Sequence, residues 1–470
     1  MAKKYNNHPA KKMSGKPKKI VRLDALKQIN FNASGIDIGD SEMYVAVPED
    51  RDEQSVRVFG TFTHDLVLIA QWLKQCRVTS VAMESTGVYW IPLFEILVEH
   101  GFEVLLVDAR KIKNVSGRKT DIQDCQWIQQ LHTYGLLNGS FIPDQNIRAL
   151  RDMIRHRANL LRYRASHIQH MQKILQLMNL KLTNVLSDIT GTTGMKIIRA
   201  IVNGKTDPHF LSQFRDPHCK TPQIDIEKSL EGNYRTEYIF QLKQMLNLFD
   251  HYASLISELD RETESMYKQL PSLIDPHEHP LKPLKRGSNR TMKNSPQYDL
   301  RTDLYRITGV DLTQIDGLNA STVQDIITDI GTDMSKWPTS KHFCSWLRLA
   351  PENKKTGGKV FSSSTKKTKN RANKALRMGA FALSHSHSFL GACYRKVRAK
   401  HGGPAAITAI AHKLARIIYK MLKFKIDFID LSSDFYEEKF KSRIIHNLKH
   451  KAESLGFQLI PSELVPVLCQ

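Results

Sequence analysis

The sequence predicts an α/β domain followed by a mainly helical remainder, and three observations carry that reading. Between Ala33 and Val107, short apolar runs of strand length alternate with stretches of helical spacing. After Leu150, apolar residues recur every seventh position, as along the seam of a long helix. Beyond residue 304, short helical segments, turns and a dense basic run take over.

The elements follow in order. Residues 1–32 are expected to be a disordered basic tail, because Lys3, Lys4, Lys11, Lys12, Lys16, Lys18, Lys19 and Arg22 come with almost nothing to bury. An α/β domain is expected over 33–148. Ser34–Gly39, Met43–Val47 and Val56–Phe62 read as strands. His64–Cys76 reads as a helix through Leu66, Leu68, Ile69, Trp72 and Leu73. Val78–Met83 is a buried-type strand ending on Glu84, followed by a helix through Val98 and a strand at Glu103–Val107. Hairpins followed by alternating helix and strand describe a mixed sheet, whose sites form beyond the carboxyl ends of its strands. Asp37 sits inside an apolar strand, where an unpaired charge is costly. Asp121 and Asp124 stand three apart at a helix start, so they share one face. Acids in a first turn also complement the helix dipole.

A helical, coiled-coil region is expected over 149–275. Ile154, Leu161, Ile168, Leu175 and Leu182 mark one helix, and Leu242, Met245, Phe249, Tyr252, Ile256, Leu259, Thr263, Met266 and Leu270 another. Two readings stand: long helices packing on each other within one chain, or a coiled coil joining protomers. Arg155, Arg157, Arg162, Arg164, His167 and His170 decorate the first helix as a nucleic-acid face or a solvated one. Between the helices, Thr190–Met195 lacks the Gly-Lys-Ser/Thr ending of a phosphate loop, so no nucleotide site is expected. Residues 276–303 are rich in Pro, His and Lys and read as a linker.

The C-terminal domain is expected over 304–425, mainly helical, with a helix-hairpin-helix-like turn at Asp316-Gly317. Such turns can grip a phosphate through their amides; Asp316 stands where proline is usual and would repel it, so an ordinary helical hairpin is the stronger reading. Lys359, Lys366, Lys367, Lys369, Arg371, Lys374 and Arg377 form a basic run, and Lys413–Phe424 reads as an amphipathic closing helix. Residues 426–470 are a mixed-charge tail.

Composition narrows the partner. The 470 residues carry 69 Lys plus Arg against 47 Asp plus Glu, a formal charge of +22. That excess points to a polyanion, most commonly nucleic acid, although ribosomal or membrane-surface proteins share it. The six cysteines are scattered without a Cys-x-x-Cys pair, which argues against zinc and a disulfide framework and fits a reducing cytoplasm. No apolar run reaches membrane-span length, so no membrane partner is expected.

Three motifs carry a resemblance: Gly-Ile-Asp-Ile-Gly around Asp37, Met-Glu-Ser-Thr-Gly-Val-Tyr-Trp around Glu84, and Lys-Thr-Asp-Ile-Gln-Asp-Cys-Gln-Trp around Asp121 and Asp124. Together they resemble the Asp-Glu-Asp-Asp (DEDD) signature of the bacterial insertion-sequence transposases numbered one-ten, with their eleven-eleven subgroup and the related pilin-gene invertases. The resemblance implies an RNase H-like (RuvC-like) N-terminal domain whose Asp37, Glu84, Asp121 and Asp124 are catalytic and bind Mg²⁺, as two ions. It extends to Trp346–Lys359 and the basic run. Where the family has Ser-Gly, with that serine as the nucleophile that becomes linked to DNA, this chain has Thr356-Gly357. Thr356 is therefore the expected nucleophile, with Ser362 of the Ser362–Ser364 run as the fallback and loss of the covalent step as a third reading. Arg155, Arg162, Lys359, Lys366, Lys367, Arg371 and Arg377 are the expected nucleic-acid contacts.

By the same resemblance the protein is a transposase/recombinase acting on DNA, guided by a structured RNA and assembled as a homo-oligomer, dimer or tetramer. Its place is the bacterial cytoplasm, at the nucleoid. A hydrolytic junction nuclease using the same acids, or an inactive nucleic-acid-binding relative, are the rival readings.

Overall fold

The computed structural model describes residues 27–108, 120–284, 293–429, 442, 445, 446 and 448–458. The basic run of 1–22 and most of the 426–470 tail lie outside the described residues. The chain divides into two compact units at Ile142–Pro143, and each is taken by itself.

The first unit is the expected mixed α/β domain. Its five strands are β1 (Ala33–Ile38), β2 (Met43–Ala46), β3 (Val56–Phe59), β4 (Ser80–Glu84) and β5 (Glu103–Val107), ordered β3-β2-β1-β4-β5. β2 runs antiparallel to both β1 and β3, while β1, β4 and β5 are parallel. Among the described residues, helices α1 (Thr63–Gln75), α2 (Trp90–Glu99) and α3 (Asp121–Thr133) cover the sheet. Alternation of side chains along a strand decides which face each residue joins. Ile36, Ile38, Val81, Met83 and Leu106 pack with Leu66, Ile69 and Leu73 of α1 and Leu93 and Leu97 of α2. Ala82 and Val107 face the other way, onto Trp127 and Ile128 of α3.

α3 lies very close to β1, and Gly35 is the reason. A Cβ there would stand 2.2 Å from the backbone nitrogen of Gln129 and 2.4 Å from the carbonyl oxygen of Cys125. Thr120 caps the helix by accepting from the Gln123 amide. At the other end, His132 Nε2 and Ser80 Oγ hydrogen-bond at 3.0 Å in the interior, pinning the helix to β4.

Among its described residues, the second unit is helical apart from one ribbon. Two long helices, α4 (Gln145–Leu177) and α9 (Thr236–Gln269), pack antiparallel within the chain: Leu160 meets Ile256 and Leu259, while Met171 and Leu175 share a core with Leu242 and Leu246. Of the two readings of the heptad spacing, the in-chain pair is the one observed. The buried seam of α9 runs through Leu246 and Tyr267, with Met245 half-buried beside it, because each helix turns its apolar stripe toward its actual neighbour. Four short helices, α5 (Leu182–Val185), α6 (Thr192–Val202), α7 (Pro208–Ser212) and α8 (Gln223–Ser229), close the far end of the pair around Ile197, Ile198, Ile201 and Leu211. The Thr190–Met195 stretch is thus the start of a core helix.

A buried ion pair locks the two long helices. Arg157 Nε and Nη2 donate to Asp260 Oδ1 and Oδ2 at 2.5 and 3.0 Å, and Asp260 is 1% exposed. Arg157 also donates to the Asn294 carbonyl, and the Gln297 amide donates to Asp260. The end of the Pro-rich segment is therefore tied down against the long helices.

The remainder comprises α10 (Leu300–Thr308), α11 (Ala320–Ile330), α12 (Ser340–Trp346), strands β6 (Lys354–Thr356) and β7 (Lys359–Ser362), α13 (Arg371–Ala382), α14 (Phe389–His401) and α15 (Gly403–Phe424). Only one 3-10 turn, Leu312–Gln314, precedes the Asp316-Gly317 bend. Gly317 has φ of +85°, and a Cβ on it would stand 2.5 Å from the Gly379 carbonyl of α13. The bend packs into the protein, as an ordinary helical hairpin does. None of the described helices is long and apolar enough to cross a membrane.

Candidate active site

Four acids gather at the carboxyl end of the parallel strands. Ile36 pairs with Met83 in the β1–β4 ladder, which sets Asp37 beside Glu84 one step further on, in strands about 4.8 Å apart. Both share parity with Gly35 and Ala82, so both project toward the α3 face. Asp121 and Asp124 occupy the first turn of α3. Because Gly35 lets the middle of α3 lie on β1, the helix start is brought toward Asp37.

The electrostatics record this closeness. Burial pushes the Asp37 carboxyl up to about 6, and the charges of Glu84, Asp124 and Asp121 add to it, in that order; the Ile38 amide opposes. Tyr44, across the ladder from Asp37, also feels Asp121 and Asp37, although its hydrogen bond to Glu42 is the larger cause of its raised pKa. Glu84 is 6% exposed and accepts from Thr86 Oγ1 at 2.9 Å. Asp37 and Asp124 are half-buried, and Asp121 is exposed.

Among the described residues, no three His, Cys, Asp or Glu side chains form a ready-made cage for a metal ion. The fit of a divalent cation rests on the donor set. Burial first, and then the charges of the three neighbouring acids, disfavour the ionised form of Asp37. Carboxylates are the hard oxygen donors that a small dication takes, and its charge would offset that penalty.

The second unit holds the remaining expected site residues. Thr356 is exposed on β6, directly opposite Lys359 of β7. The two strands are joined by Gly357 and Gly358, with φ of +57° and +77°. Positive φ at both central residues is what a two-residue hairpin turn with the right twist requires. The Gly-Gly pair is the sequence signal for this ribbon, which sequence reading took only as a motif position. Ser362 is half-buried, with its hydroxyl 3.3 Å from that of Ser364.

The expected nucleic-acid cations divide into two kinds. Lys359 and Lys367 are exposed, as is Arg162, whose guanidinium reaches Asn159 on its own helix. The others belong to segments with contacts within the protein. Arg155 pairs with Asp329 at 3.2 Å. Lys366 pairs with Glu352 at 2.8 Å on the surface, an interaction worth little in water. Arg377 donates to Asn373, Thr408 and Thr365, bracing the foot of the ribbon against α13 and α15. The Arg371 amide, together with that of Ala372, donates to Asp329, so a carboxylate from α11 caps α13.

Comparison with known proteins matches two stretches of the chain. A DEDD-type family model described as a transposase matches residues 34–180. A second, described as the transposase IS116/IS110/IS902 family, matches residues 311–395. The four acids lie inside the first match, and Thr356 and Ser362 inside the second. No curated protein matches the chain.

Proposed function

The chain belongs to the IS110 family of transposases, and on that premise we propose that this DNA transposase/recombinase exchanges strands at a magnesium site held by Asp37, Glu84, Asp121 and Asp124. The observation that carries the proposal is the crowding of Asp37, whose carboxyl is pushed to about 6 by burial and by the other three acids. Carboxylates left to repel one another cost stability, and a bound cation offsets that cost.

Asp37 and Glu84 offer oxygens from the rigid strands, and Asp121 and Asp124 from the helix. These residues would hold magnesium, which when bound would supply the positive charge that an in-line phosphoryl transfer needs. The Thr356 hydroxyl oxygen attacks the scissile phosphorus and gives up its proton. The displaced sugar oxygen takes up a proton, and a protein–DNA phosphodiester replaces the one broken. The bond count is unchanged, so the ester can be resolved by a second sugar hydroxyl without ATP. Lys359, opposite Thr356 on the ribbon, stabilises charge on the non-bridging oxygens. A structured RNA guide and a homo-oligomer belong to the same proposal on the strength of the family, and the net charge of +22 suits two polyanions.

Incubation with nicked or branched DNA and Mg²⁺, followed by denaturing electrophoresis, tests the reading. A DNA-linked polypeptide is expected for the native protein and for Thr356→Ser, and none for Thr356→Ala. Cleavage by Thr356→Ala without any linked species would instead identify water as the attacker and the protein as a nuclease.

A further inference from the structure

Phe361 is 86% exposed, more than any other large hydrophobic residue among those described. A single exposed apolar side chain is ordinary on a protein surface. Three features set this one apart. It lies on β7 where the register slips: Lys355 pairs with Val360 and Lys354 with Ser362, so Phe361 has no partner across the ladder. Its surroundings are cationic. Residues 351–377 contain seven Lys and two Arg against the single acid Glu352, and Lys354, Lys355 and Lys359 of the ribbon are all exposed.

The ribbon itself is also held firmly. At its foot Pro351 bridges Thr365, the Glu352 amide donates to the Ser364 carbonyl, and Arg377 ties Thr365 to Thr408. At its tip, a Cβ added to Gly357 or Gly358 would meet nothing within 4 Å. A narrow, braced, basic two-stranded ribbon has dimensions that a DNA groove admits. Apolar side chains carried into DNA on such elements wedge between bases.

We propose that Phe361 is a base-stacking wedge: the β6–β7 ribbon enters DNA at the strands to be exchanged, its lysines hold backbone phosphates, and the Phe361 ring packs against a base. The inference rests on reading the ribbon as DNA-facing and does not depend on which hydroxyl attacks. It adds a positioning residue for the reaction. Unstacking a base beside the scissile phosphate frees the backbone to adopt the in-line geometry that an attacking hydroxyl needs.

The test uses the full-length protein with a four-way DNA junction and a nicked duplex, each carrying 2-aminopurine beside the branch or nick. Native protein and Phe361→Trp should change the 2-aminopurine fluorescence. Phe361→Ala should abolish that change and weaken binding roughly 5- to 100-fold, while the slope of log K against log salt stays as in the native protein. Lys359→Ala, in contrast, should lower that slope by about 0.9. If Phe361→Ala binds as tightly with the same fluorescence change, the wedge is overturned, and a persisting Lys359→Ala effect shows that the ribbon still faces DNA. If neither substitution has an effect, the DNA-facing reading falls with it. A loss of self-association on Phe361→Ala, with DNA binding intact, would make the ring a protein contact and overturn the wedge as well. So would stacking on a hairpin RNA of matched sequence but not on DNA.

Discussion

The first unit and the ribbon of the second handle charge in opposite ways. Around Asp37 the negative groups are carried on strand ends and a helix start, partly buried and fixed by the sheet. Around Lys359 the positive groups stand in water on a small hairpin. Burial and mutual repulsion make the first cluster electrostatically unfavourable by itself, and on the proposed function a cation would relieve that penalty. Solvation makes the second cluster harmless by itself, and on the proposed function its worth would appear when it meets a polyanion and counterions are released. One region is preorganised by packing, the other by the tightness of a turn.

The largest effect that could break this contrast concerns the acids. Asp37→Asn should lower Mg²⁺-dependent strand exchange by about 10³-fold or more, in line with loss of a transition-state electrostatic group, while leaving DNA affinity nearly unchanged. A fall in DNA affinity of similar size would mean the acids act in binding. Next comes the packing that aims α3. Gly35→Ala places a methyl 2.2 Å from the helix backbone, and a loss of about 3 kcal/mol in urea unfolding is expected for such overpacking. Stability near the native value would show that α3 is free to shift.

A smaller effect is expected from pH. Asp37 has its folded pKa raised from 3.8 to about 6, so between those values the native state binds more protons than the unfolded chain. Stability of the metal-free protein should therefore fall as pH rises from 4 through 6, by about 2 kcal/mol. Mg²⁺ should restore it at pH 8 and not in Asp37→Asn. Thermal melts with and without the ion read this directly. Smallest is Lys359→Ala, which should leave the melting temperature unchanged and alter only salt-dependent DNA binding. A drop in melting temperature would place Lys359 with the structural cations and blur the contrast.

Much of the first unit was legible because its signals are local. Apolar runs of strand length bounded by turns mark β1, β2, β4 and β5, and an acid inside such a run, Asp37, is conspicuous. In the second unit the signals needed a partner to interpret. Heptads along α4 and α9 announce a seam but not whose, and only the fold shows each helix to be the other's partner. Arginines behave alike: Arg162 and Arg377 look equivalent in a basic stretch, yet one is in solvent and the other braces two helices. The ribbon was missed since lysines and serines give no alternation of apolar and polar residues; its one legible trace was Gly357-Gly358. The convergence of the four acids was expected from the sequence, but the close approach that brings α3 to β1 was not, since it depends on what Gly35 lacks.

Asp329 has a reach out of proportion to its size. Its two oxygens take the Arg155 side chain of α4 and the first amides of α13, and α13 in turn carries Arg377 beneath the ribbon. A 33-residue rod some 50 Å long is thereby geared to a finger of nine residues through one carboxylate. Cutting the gear with Asp329→Asn should speed amide exchange at Arg371 and Ala372 while α4 stays protected.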